Sequence, residues 1–166
     1  EFRRVLFRSV MMAWRNAAWW LFYSFAAVVL QAMLPGLDFF LPGFLLAVQE
    51  QRPIQTACVG VWFTVLQEGM GSMAFGGIAL LFALAVIFFY SGCQLFQGRN
   101  FLFVILLGAV LASARYCLFP LLCSLQDFPF RSEVLIDECL FQFFVTPFVW
   151  WGASSLRSAM QNESGK

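Results

Sequence analysis

Met73 to Cys93 reads MAFGGIALLFALAVIFFYSGC, an apolar stretch without one charged residue. A helix rises 1.5 Å per residue, so about 20 such residues cross a hydrocarbon core of about 30 Å, and this stretch predicts a transmembrane helix. The rest of the chain matches it. Of 166 residues, 61% are hydrophobic and 11% charged, whereas a soluble domain carries about 25% charge. So much apolar chain implies lipid as the main solvent.

Working outward from that stretch, turn-rich polar links divide the chain into six apolar runs. The expected spans are 17–34, 37–48, 54–66, 73–93, 101–123 and 139–156. Pro35-Gly36 closes the first, and Trp14, Trp19 and Trp20 are placed at its membrane interface, where amphipathic rings anchor. The second run contains Pro42-Gly43 and is short, which predicts a kinked span or a re-entrant segment. The fold class expected is therefore all-α: a polytopic membrane helical bundle of about six transmembrane helices, one domain over 10–158. Residues 1–9 (EFRRVLFRS) resemble a translated sequencing adapter and are set aside, and 159–166 is expected to be a disordered tail. No secretory signal pattern precedes the first span.

Basic residues near span ends are retained on the cytoplasmic side. With six spans, Arg15, Arg52, Arg99, Arg157 and Lys166 fall on one side, while the other holds Arg131 among Asp38, Glu68, Asp127, Glu133, Asp137 and Glu138. Both termini are therefore expected in the cytoplasm. Outside residues 1–9, basic and acidic residues nearly balance, and no basic patch points to nucleic acid.

Chemistry is sparse. The chain has no histidine, and its five cysteines (Cys58, Cys93, Cys117, Cys123, Cys139) form no CxxC pair, so no metal site or cofactor is expected. Cys123 and Cys139 flank one polar loop, close enough for an approach to be considered. No nucleophile elbow, HExxH, phosphate-binding loop or pair of intramembrane acids occurs, so no enzyme is expected. Phenylalanine, 22 residues of it, is read as mostly lipid-facing bulk. Arg115 stands roughly 21 Å along the fifth span and must meet an anion inside the bundle. Glu68 is its expected partner by depth, with Asp137 or Glu138 second. That pair is either a polar site or a clasp between helices. Gly108 and Ala112 form a small-xxx-small pair that, with Gly76, marks candidate helix-packing positions, within one chain or in a homo-oligomer.

Pro35-Gly36-Leu37-Asp38 opening a short apolar run, the turn at Arg52, and Glu68 followed by Gly71, Ser72 and Gly76 together resemble the rod shape-determining protein MreD family. Glu68 takes the place of an aspartate, Thr64 stands where glycine is usual and Ala74 where proline is common, so the chain resembles a divergent member. The resemblance implies a non-enzymatic scaffold in the bacterial inner membrane. Its implied partners are other membrane proteins of the cell-elongation machinery that couple an actin-like cytoskeleton to peptidoglycan synthesis. The competing reading is a small-molecule carrier, such as the substrate-binding membrane subunit of a vitamin-type transporter, which needs polar groups converging on a cavity. Glu68, Arg115, Gln142 and Gln67 are the residues available for that.

Overall fold

The computed structural model of the protein describes residues 2–71, 76–94, 100–125 and 132–163, with side chains for 13–71, 76–94, 100–125 and 135–162. Among the described residues there are six helices and no strand: α1 (Phe2–Met33), α2 (Phe40–Gln49), α3 (Pro53–Gly69), α4 (Gly77–Gly92), α5 (Phe101–Leu125) and α6 (Ser132–Glu163). Three segments are long and apolar enough to cross a membrane, Ala13–Met33, Phe101–Leu125 and Leu135–Asn162, and α2 and α4 are shorter apolar helices. Phe22, Phe25, Val61, Ile87, Leu102, Phe144 and Phe148 are exposed on the outside. That much exposed apolar surface is compatible with a membrane protein.

α2 is the axis of the bundle. Every residue from Phe40 to Val48 is buried, and the helix touches α1, α3, α4 and α6. A helix apolar all round belongs inside such a shell. α2 begins at Phe40, so Pro42 falls in its first turn, where a missing N–H leaves no helical bond broken. Gly43 serves a different end. A Cβ there would stand 2.2 Å from Cε1 of Tyr23, so only glycine lets the α1 tyrosine lie flat across α2 and donate its hydroxyl to the Phe39 carbonyl at 2.7 Å.

Among the described residues, seven phenylalanines join the core, while Phe22, Phe25, Phe101, Phe141, Phe144 and Phe148 are exposed. Phe63 is fully buried, with ring centroids 5.0 Å from Phe40, 6.0 Å from Tyr23 and 6.1 Å from Trp20. Phe44 stacks on Phe82 at 4.3 Å, and Phe89 meets Phe103 at 5.6 Å. These offset and edge-on pairs carry the rings' large apolar area into the contacts of α2 with α4 and of α4 with α5. Trp19 and Trp20 also turn inward and are buried, whereas Trp14 is exposed. Their indoles meet the charge of Arg157, as described below.

Helix directions alternate. The C-terminal end of α1, the start of α2, the end of α3, Arg115 of α5 and the first turns of α6 gather at one end, and Arg15, Glu50, Pro53 and Arg157 at the other. Observed helices overrun the expected spans at α1, which begins at Phe2, and at α3, α5 and α6; α6 runs to Glu163, so 159–163 are helical rather than part of a disordered tail, and α4 is described over Gly77–Gly92. The expected turn residues Ser72 and Ala74, the loop residues Asp127 and Arg131, Arg99, and the end of the tail from residue 164 lie outside the described residues.

Candidate functional site

The stretch Pro35-Gly36-Leu37-Asp38 carries the chain from α1 into α2. Gly36 adopts φ +96°, a left-handed conformation that side chains disfavour. A Cβ there would come 2.7 Å from Glu138 Oε1, so the glycine also lets the α6 carboxylate lie against the turn. Asp38 follows. Its Oδ1 accepts the amides of Phe40 at 2.9 Å and Leu41 at 3.1 Å, capping the two otherwise orphaned N–H groups at the start of α2.

Around this capped end the bundle assembles a buried polar layer. Gln142 of α6 accepts the Asp38 amide through Oε1 at 2.7 Å and donates through Nε2 to the Asp38 carbonyl at 2.8 Å. The same Nε2 reaches Thr146 Oγ1 at 3.1 Å, whose hydroxyl donates to the Gln142 carbonyl at 2.7 Å. Asp38, Gln67, Arg115, Gln142 and Thr146 are all buried. The second carboxylate oxygen of Asp38 has no hydrogen bond of normal geometry; the Gln67 side chain and the charge of Arg115 are the polar groups acting on it.

Arg115 is held by α6. Its Nη2 lies 3.7 Å from Glu138 Oε2, while Nε and Nη1 are buried without hydrogen-bond partners. The expected pairing with Glu68 is not formed. α5 packs against α4 and α6, and Glu68 is occupied elsewhere, accepting the Gly76 amide at 3.0 Å across the turn into α4. Gly76 accordingly is a turn residue and not a packing contact. It takes φ +82° ahead of α4, and among the described residues nothing lies within 4 Å of where its Cβ would be. Gly108 stands against Thr146, with a Cβ contact at 3.7 Å, and Ala112 is buried on the same helix. Cys123 and Cys139 are both free thiols.

A second polar layer closes the other end, about 22 Å away along α6 if measured from Gln142 to Arg157. Arg157 is buried, donates to Glu50 at 2.7 and 3.1 Å and to Asn16, and sits 5.4 Å from the Trp20 ring and 5.8 Å from that of Trp19. Gln55 donates to Glu50 at 2.5 Å, Asn16 to Gln55 at 2.9 Å, and Trp150 to Gln49 at 2.6 Å. Burial pushes the Glu50 carboxyl up, but hydrogen bonds from Arg157 and Gln55 and the nearby charges of Arg157 and Arg52 outweigh it and hold the group below the usual carboxylate range.

The sequence singled out Arg115 as a site residue and marked Asp38 only within the Pro35-Gly36-Leu37-Asp38 stretch and among the acids of one side. The signal for Asp38 was an acid immediately ahead of the apolar run from Phe39, the position from which a carboxylate caps a helix start. No group of three or more possible metal ligands occurs among the described residues. Comparison with protein-family models, with curated proteins and with solved structures finds no match.

Proposed function

We infer that the protein is a non-enzymatic scaffold that crosses a bacterial inner membrane six times with both termini in the cytoplasm. On this reading it holds other membrane proteins of the cell-elongation machinery, as its resemblance to the MreD family implies. One observation carries the choice of scaffold over carrier: two of the four polar side chains a carrier would need are spent on the protein's own main chain. Gln142 is committed to both peptide groups of Asp38, and Glu68 to the amide of Gly76. Such groups tie helices together and leave little to coordinate a solute. The alternating helix directions favour six crossings, with the short α2 sheltered from lipid by its neighbours. The surplus of arginine at the Arg15, Arg52 and Arg157 end favours a cytoplasmic location for it.

Affinity purification of the full chain in mild detergent tests this reading. Membrane proteins of the cell-wall elongation machinery are the expected companions. Recovery of a cytoplasmic ATPase pair with a bound small molecule would replace the scaffold by the carrier.

A further inference from the structure

The polar layer at the Arg157 end contains a charge imbalance. Among the described side chains there, Arg15, Arg52 and Arg157 stand against the single carboxylate of Glu50. Arg157 takes that carboxylate, and Arg15 donates to the Met160 carbonyl at 2.9 Å. Arg52 is exposed and, among the described residues, its guanidinium makes no hydrogen bond or ion pair. Beside it α3 begins with no side-chain cap and with Pro53 in its first turn, so the amides of Ile54 and Gln55 have no intrahelical partner. The Arg52 guanidinium, held by no hydrogen bond among the described residues though its charge acts on Glu50, and the uncapped helix start both favour an oxyanion.

These groups stand at the mouth of a groove of about 660 Å³ between α1 and α3. Its deeper walls are apolar: Leu21, Cys58, Val59, and the faces of Trp20 and Trp62. Two bonds fix its width, Asn16 to Gln55 at 2.9 Å and the Trp62 indole to Ser24 at 3.0 Å. An occupant must be anionic at one end and hydrocarbon at the other. A helix about 10 Å across would fill the volume within two turns.

We propose that this groove holds one anionic glycerophospholipid, with its phosphate at Arg52 and the first turn of α3 and an acyl chain along Trp20 and Trp62. The proposal rests on the membrane reading above and adds a specific lipid site to it. A basic residue at the headgroup level gives selectivity for anionic lipid, and the indoles grip the chain just below it.

The test takes the delipidated full chain, first reconstituted by flotation with phosphatidylcholine vesicles and then titrated in detergent with dioleoylphosphatidylglycerol or dioleoylphosphatidylcholine under native mass spectrometry. Phosphatidylglycerol should be retained preferentially. Arg52→Gln, at an exposed position, should weaken it about fivefold with phosphatidylcholine unchanged, and Arg52→Lys should keep most of the preference. Equal retention of both lipids, or an Arg52→Gln protein that binds phosphatidylglycerol like the parent, overturns the site. Failure to float with vesicles overturns the membrane reading as well. Oxidative crosslinking through Cys58, which is exposed in the groove, supplies the remaining outcome: an efficient Cys58–Cys58 dimer in phosphatidylglycerol membranes would assign the groove to a second copy of the chain and reject the lipid.

Discussion

Gln142 pairs with the main chain of Asp38 as one peptide unit pairs with another, accepting its N–H at 2.7 Å and donating to its C=O at 2.8 Å. One side chain thereby satisfies both main-chain groups of Asp38 in the turn that delivers α2 into the middle of the bundle.

Replacing it should be costly. Gln142→Leu keeps the apolar bulk but orphans both peptide groups, and each buried unsatisfied group costs about 1–3 kcal/mol. Unfolding in mixed micelles should show a loss of about 2–4 kcal/mol; a variant within 0.5 kcal/mol of the parent, the usual range of surface changes, would mean the pairing is not structural.

Arg115 should couple to Glu138 and not to Glu68. In a double-mutant cycle, Arg115→Gln and Glu138→Gln should show a coupling of about 0.6 kcal/mol or more, the scale of polar contacts inside membranes. Arg115→Gln with Glu68→Gln should be additive. The reverse pattern would restore Glu68 as the partner.

Gly43→Ala drives a methyl into the Tyr23 ring and should cost about 1–3 kcal/mol, as overpacking does. A second change, Tyr23→Leu, removes the obstruction, so the double variant should be more stable than the two separate losses predict. Strict additivity would place the strain elsewhere.

Glu50 predicts an acid limit. Its folded pKa is depressed, so its contribution is fully present above the unfolded carboxylate value of about 4.3 and is lost as pH falls through the folded value. Thermal stability of the parent should therefore fall faster below about pH 5 than that of Glu50→Gln. Parallel pH profiles for the two proteins would count against a stabilising Glu50–Arg157 pair.

Hydropathy made the helices legible, since a run such as Met73 to Cys93 can be little else. Counting residues along the helix placed Arg115 toward the later part of α5, and the structure sets it beside Glu138. Neighbourhood was not legible. Glu68 and Glu138 both lie at the Arg115 end, and only packing decides that α6, rather than α3, supplies the anion. Asp38 looked like an ordinary loop acid for the same reason. Its burial follows from α2 being wholly enclosed, which no local pattern announces. The contact of Trp19 and Trp20 with Arg157, far away in sequence, was equally hidden.

The bond between Asp38 and Gln142 spans 104 positions of sequence. At about 5–20 residues per second of synthesis, the ribosome makes Asp38 several seconds before Gln142 exists. During that interval the turn into α2 is incomplete, and a ten-residue helix is too short to hold itself across lipid. On the membrane reading proposed above, biogenesis must therefore keep the early helices in a provisional arrangement, in the translocon or beside an insertase, until α6 arrives. A nascent chain stopped before Gln142 should be a substrate for membrane quality control rather than a stable half-bundle.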